Sequence, residues 1–357
     1  MVTVNDTLVK VTMTGGLTKE EIALYDRQIR LWGMDTQLRL RSFKLLLINV
    51  GGIGTEIVKN LVLGGLHSIE LLDDSKVKEE DYSSQFFLPK EEKAIGEVKL
   101  PLIVESIKEL NLRVELTINI KSLDQLLADS PEYFSEFNLV IGTELTKQQM
   151  IKLNDICRGN QVPVYFTGLH GLFGYIFTDL IQHEATCEWD TGNQQRKPGT
   201  QLNHVKQIIK IELGGNGKEL VTIKDNFNKI SDIFHSKQLP HQLNNRQLKR
   251  LSGALPIIFA LLEIERPENP ESILAHNDLK GKALDICKAL NIPSSIITDE
   301  YVELFTRNAF TEFSPVAAII GGCLAQDVIQ MISKKESPIN NVLILDSIKS
   351  EMPIYAL

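Results

Sequence analysis

Residues Lys44–Gly65, KLLLINVGGIGTEIVKNLVLGG, constrain the fold more than any other stretch of the chain. Leu45–Val50 is an unbroken apolar run of strand length, the pattern of a strand covered on both faces within a parallel sheet. A glycine-rich turn follows at once, with Gly51, Gly52 and Gly54. Thr55 and Glu56 then open a helix whose Ile57, Leu61 and Leu63 are expected to face the sheet. Strand, glycine turn and helix make the nucleotide-binding unit of doubly wound α/β folds, in which phosphates rest on the helix N-terminus. Set in G-x-G-x-x-G register, the first glycine position holds Asn49. Asparagine tolerates left-handed backbone, so the register predicts a preserved turn with a weakened phosphate grip.

Length and charge narrow the class further. At 357 residues and 43% hydrophobic content the chain suffices for one large α/β domain with an insertion, or for two domains. Its net charge of −8 argues against a generic nucleic-acid binder. No apolar run reaches the roughly 18 residues of a membrane span, and the polar N-terminus does not read as a signal peptide. Cys157, Cys187, Cys287 and Cys323 are scattered without a C-x-x-C pair. That spacing fits free thiols in a reducing compartment and excludes the usual paired-cysteine zinc site, so no metal is expected on this chain.

In chain order, residues 1–17 read as a flexible leader. Structure is expected from Thr18, where Glu21 three residues on completes a capping box. The helix that follows, KEEIALYDRQIRLWG, is expected to run to Gly33, with Ile22, Tyr25, Ile29 and Trp32 on one stripe. Asp26 can pair with Arg30 at i,i+4. Arg27 lies almost opposite the stripe and finds only Ala23, Leu24, Arg30 and Leu31 at the i±3 and i±4 positions. It is an arginine without a helical partner, and a solvated surface residue is the plain reading. SIELLDD predicts a second strand ending at Asp73, which either holds a ribose hydroxyl or is a solvated turn acid. Four or five strands alternating with helices over residues 44–166 predict a right-handed parallel sheet. Gly168, Gly171 and Gly174 mark the turn into YIFTDL. Beyond His183 the pattern changes to a polar loop, a hairpin around Gly214–Gly217 and a mostly helical stretch. The α/β pattern returns in SPVAAIIGGCLAQDVIQMISKK, where Gly321–Gly322 allow close packing, and in NVLILD. Residues 18–182 plus 311–357 therefore read as one domain, and residues 183–310 as a mainly helical insertion within it.

YDRQIRLWG, LLINVGGIGTEIVKNLVL, SSQFF and VAAIIGGCLAQDVI resemble the adenylation domains of the enzymes that activate ubiquitin and its relatives, a doubly wound fold of the ThiF/MoeB type. Length and motif order are similar to the small subunits in that family that serve SUMO. The resemblance covers most of residues 18–182 and 313–357. It implies an N-x-x-R-Q segment that holds ATP, whose places here read Asp81, Ser84 and Gln85. It gives the family's lysine a match in Lys99, so that Gly51, Gly52, Gly54, Asp73 and Lys99 outline a degenerate nucleotide site. It puts the magnesium-binding aspartate on or beside Leu145, with Glu144 adjacent. Losing a cation and a metal ligand removes the charges that stabilise a transferring group. The resemblance thus implies a pseudo-adenylation domain that binds no cofactor of its own.

The family's catalytic cysteine sits in a Pro-x-Cys-Thr setting that none of the four cysteines has, so residues 183–310 correspond to the thiol-bearing region without its nucleophile. The chain also ends at Leu357, where the resemblance implies no domain to recruit a conjugating enzyme. What the resemblance retains is Arg27, whose family counterpart reaches across a dimer interface to the partner's ATP and magnesium site; Arg30 is the weaker candidate. A guanidinium suits that work because it stays charged and can bind phosphate bidentately. The expected partners are a larger, catalytic, zinc-containing subunit and SUMO, with a conjugating enzyme engaged indirectly. No nucleic acid and no membrane are expected. The resemblance places the chain in the nucleus, with the cytoplasm as a second location. The same role for NEDD8, a homodimeric adenylyltransferase of the molybdopterin or thiamine sulfur-carrier pathways, and a nicotinamide-dependent oxidoreductase are the alternatives.

Overall fold

The strand–glycine–helix unit lies at the centre of an eight-stranded sheet in the computed structural model, which describes residues 16–90, 94–192, 196–267 and 272–357. Three short helices, α1 (Lys19–Leu24), α2 (Asp26–Trp32) and α3 (Met34–Leu40), lead into β1 (Lys44–Ile48) and α4 (Gly52–Gly64). There follow β2 (Ser68–Leu72), α5 (Lys99–Lys108), β3 (Glu115–Asn119), α6 (Leu123–Asp129), β4 (Leu139–Thr143) and α7 (Lys147–Gly159). The hairpin β5 (Val164–His170) and β6 (Phe173–Asp179) completes the first half. Strands β3, β2, β1, β4 and β5 pair in parallel in that order, joined by crossover connections. Strand β6 then runs antiparallel to β5.

Why β1 is apolar throughout is visible in its packing. Leu45 and Leu47 join the core beneath α4 and α5, whereas Leu46 and Ile48 join the core on the opposite face. Burial on both faces removes the polar alternation that a half-exposed strand would show.

Residues beyond β6 contribute a second sheet and then return to the first. Strands β7 (Gln182–Asp190), β8 (Lys206–Leu213) and β9 (Lys218–Asn226) form an antiparallel sheet in the order β7-β9-β8. Short helices α8 (Ile230–Ile233), α9 (Leu239–Gln242) and α10 (Asn245–Leu248) precede α11 (Ala254–Leu261), α12 (His276–Ala289) and α13 (Asp299–Asn308). These helices have no core apart from the main one. Phe305 stacks on Phe173 of β6 at 4.0 Å, and Phe259 of α11 stands edge-on to Phe177 at 5.6 Å. Helix α14 (Ser314–Ser333) packs along α4, and β10 (Val342–Asp346) and β11 (Ile354–Tyr355) extend the sheet antiparallel beyond β6.

Several local expectations are corrected. The capping box is present, with Thr18 N–H donating to Glu21 Oε2 at 2.9 Å and Glu21 N–H to Thr18 Oγ1 at 3.1 Å. The single helix to Gly33, however, breaks at Tyr25. That side chain is buried over Gly65, where an added Cβ would lie 2.6 Å from the ring, and its hydroxyl accepts from Asn111 at 2.8 Å. Leu17, assigned to the leader, is fully buried, while residues 1–15 of that leader lie outside the described residues. Leu63 is turned outward and 44% exposed. Gly168 and Gly174 sit inside paired strands, leaving Gly171, at φ +60°, as the turn glycine. Of the pair in α14 only Gly321 is at a close contact, 2.6 Å from Glu56 Cβ to an added Cβ. Helix α14 is long and apolar enough to cross a membrane by length and composition. Its Val316, Ile320, Leu324 and Val328 are buried in the core with α4, the setting of a central helix in a globular fold.

Candidate functional site

The elements bring the expected nucleotide-site residues together. Asn49, Gly51, Asp73 and Lys99 all line one cavity of about 420 Å³ at the carboxyl end of the parallel strands. Asn49 takes the left-handed conformation at φ +63°, with its Nδ2 donating to the Thr143 carbonyl at 2.8 Å. Gly54 permits the close approach of α4 to β1, since an added Cβ would lie 2.5 Å from the Asn49 carbonyl oxygen. The turn is therefore built as the register demands.

What occupies the turn is a side chain of the protein itself. Glu312, in the connection from α13 to α14, accepts the Gly52 N–H at 2.6 Å and the Ile53 N–H at 3.1 Å. Ser84 Oγ donates to the same carboxylate at 3.1 Å. A Cβ on Gly51 would stand 3.0 Å from the Glu312 oxygens, and one on Gly52 would stand 2.5 Å from Ser84 Cβ and 3.0 Å from Glu312 Oε2, so the close approach that these glycines allow is taken by Glu312 and Ser84. A carboxylate on the first amides of a helix in a partly buried setting contributes up to about 2 kcal/mol.

The other two anchors are engaged likewise. Lys99 is buried and pairs with Asp81 at 2.9 Å, and the second oxygen of Asp81 accepts the Lys78 N–H at 2.8 Å. Asp73 is buried, with its oxygens accepting N–H groups from Val50 at 2.9 Å and Ser75 at 2.8 Å. It is not a solvated turn acid: it ties the ends of β1 and β2 while lining the cavity. Leu145 packs into the core, and Glu144 accepts the Leu169 N–H at 2.7 Å. Burial, reinforced by Glu312, pushes the Glu144 carboxyl up to about 8. Leaving out Glu144, whose carboxyl is raised to about 8, the cavity lining carries four carboxyl groups (Asp73, Glu80, Asp81, Glu312) against four cations (Lys76, Lys78, Lys99, Arg266). That balance offers no net attraction to a polyanionic triphosphate, and the residues present do not fit one.

Glu312 has no counterpart in the sequence reading. It lies 260 positions from Gly52, and no short-range pattern joins them. The only signal was indirect: Ser84 standing at a cation's place leaves the helix terminus without its usual phosphate partner.

Arg27 stands elsewhere, on the outer face of α2. The helix is fastened by Tyr25 and by Gln28, whose Nε2 donates to the Leu63 carbonyl at 3.1 Å. This leaves Arg27 exposed, and among the described residues it makes no hydrogen bond or ion pair. Arg30 pairs with Asp26 at 3.0 Å. Leu24 and Leu31, one turn to either side of Arg27, are 54% and 79% exposed, so a cation stands between two uncovered apolar side chains.

The four thiols are held in the protonated form. Burial pushes Cys157 up to about 12 and Cys287 and Cys323 up to about 11, and it raises Cys187 as well. None has the electropositive, accessible setting that generates a thiolate.

Known proteins align with nearly the whole chain. DNA damage tolerance protein RHC31 of Saccharomyces cerevisiae is 36% identical, covering 95% of this chain and 97% of its own length. DNA damage tolerance protein rad31 of Schizosaccharomyces pombe is 30% identical, covering 96% and 98%. SUMO-activating enzyme subunit 1 of Homo sapiens is 28% identical over 94% of each chain. The ThiF family matches residues 25–357, from the helix of Arg27 to the last residue, and the chain belongs to that family.

Proposed function

We propose that this chain is the non-thiol subunit of a heterodimeric, ATP-dependent activating enzyme for SUMO. It pairs with a larger catalytic subunit and supports adenylation of the SUMO C-terminus and its transfer to that subunit's cysteine. A conjugating enzyme is engaged through the complex. The observation that carries this reading is Arg27, exposed and, among the described residues, without a hydrogen bond or ion pair, between Leu24 and Leu31 on a chain whose own nucleotide turn holds a carboxylate. Full-length similarity to proteins named for SUMO activation supports the choice of carrier.

In this reading ATP and magnesium belong to the partner's site, where ATP supplies the adenylyl group. Arg27 would donate to the phosphates there and oppose the negative charge that develops as the acyl adenylate forms. The cysteines of this chain take no part. On the resemblance alone we place this work in the nucleus, which imaging of the tagged endogenous chain would check.

The test is SUMO-dependent ATP–pyrophosphate exchange with the chain alone, with its larger partner, and with an Arg27→Ala complex whose assembly is verified by size exclusion. The chain alone should show no exchange, the complex should exchange, and Arg27→Ala should lower the rate about 100- to 1,000-fold. Robust exchange by the isolated chain, or an assembled Arg27→Ala complex exchanging at the wild-type rate, would overturn the reading.

A further inference from the structure

We propose that Glu312 is a built-in phosphate surrogate, which with Asp81 keeps this chain's own nucleotide turn closed to anionic ligands. A doubly wound fold has two positive features for a phosphate: the amides of the helix that follows the glycine turn, and a cation beside it. Here each is matched by one internal carboxylate. The Gly52 and Ile53 amides face Glu312, and Lys99 faces Asp81. Ser84 Oγ adds a third donor to Glu312, beside the two backbone amides.

The turn has thus kept its phosphate-binding shape while changing its occupant. A carboxylate and a phosphate oxygen make the same demand on backbone N–H groups, so the glycines keep their steric purpose. The difference lies in permanence. An intramolecular carboxylate is present at high effective concentration and does not dissociate, so an external anion must displace it as well as bind. Glu144, opposite Glu312 in the same cavity, adds like charge when ionised and further disfavours an incoming anion. The inference is independent of Arg27, since it concerns this chain's own turn and not the partner's site.

Inorganic pyrophosphate without metal is the probe, read by calorimetric titration and by thermal melting of the full-length chain, with sodium chloride at matched ionic strength as control. Wild type should take up no pyrophosphate and show no shift in Tm. Glu312→Ala should melt lower than wild type and regain about 2 °C when pyrophosphate is about tenfold above its dissociation constant. Asp81→Asn, which frees Lys99 and leaves Glu312 in place, should respond weakly, and the double variant most strongly. Wild-type protein that binds pyrophosphate overturns the proposal, and so does a folded Glu312→Ala chain indifferent to it. Should Glu312→Ala fail to fold, the wild-type and Asp81→Asn arms decide: an Asp81→Asn chain as unresponsive as wild type then counts against the proposal. Pyrophosphate exchange by the heterodimer is a separate readout, so loss of either conclusion leaves the other measurable.

Discussion

At the scale of single residues, exposure and pairing separate Arg27 from Arg30. Arg30 and Asp26 are an exposed i,i+4 pair, worth about 0.3–0.5 kcal/mol, so Arg30→Ala should change stability and exchange little. Arg27→Lys should recover only part of what Arg27→Ala loses, because an ammonium keeps the charge but not the planar fork. The exchange assay at saturating ATP and carrier, run on both variants, checks the order of effects. Glu144 offers a test by pH. It is faced by Glu312 and Arg266, and its ionised form bears on the Tyr175 hydroxyl. Its carboxyl is raised from 4.5 to about 8 in the folded chain, so its contribution is fully present below about pH 4.5 and is lost as pH rises through 8. Glu144→Gln keeps an oxygen for the Leu169 N–H and removes the charge. It should therefore stabilise the chain at pH 8, by on the order of 1–2 kcal/mol after allowing for solvent in the cavity, and flatten the decline between pH 5 and 8. Urea midpoints across that range would show it; a variant that tracks wild type would place the carboxylate in good solvation.

At the scale of elements, the contact of α14 with α4 is set by one glycine of an adjacent pair. Gly321 meets Glu56, whereas a Cβ on Gly322 would meet nothing within 4 Å. Gly321→Ala should push the helices apart and cost about 1–3 kcal/mol. Gly322→Ala should gain up to about 1 kcal/mol from helix propensity, and denaturation of the isolated chain distinguishes the two. The sequence marked both glycines because periodicity shows that a helix is buried, not which turn touches which neighbour. The same gap explains α1 and α2. The capping box was legible because its residues are three apart, but the break at Tyr25 depends on Gly65 and Asn111, reached only through tertiary packing. Strand β1 was legible because burial on two faces leaves a local signature.

At the scale of the whole molecule, the doubly wound sheet and the unpaired Arg27 could be read from local pattern, whereas the occupant of the glycine turn could not. Residues 183–310 illustrate the boundary between the two. Their hairpin and helices were visible in composition, but the stacking of Phe305 on Phe173 is not a sequence pattern and makes these helices part of the main core. The thiols lead to a further expectation. With all four pushed toward the protonated form, replacing every cysteine by serine should leave thioester formation by an assembled complex intact. A cost of a few kcal/mol in folding is expected from buried Cys157 and Cys287. Loss of the thioester in a folded, assembled complex would place a nucleophile on this chain after all.

The reach of Glu312 across 260 positions also sets an order of events during synthesis. Helix α4 emerges from the ribosome early, yet the carboxylate that completes its first turn arrives only after the intervening chain has been made. At roughly 5–20 residues per second that interval is about 13–50 s. Any sheet that formed in that interval would carry a bare amide terminus and, until β10 follows, an unpaired edge at β6. The closing of the glycine turn therefore joins two segments that are made far apart in time.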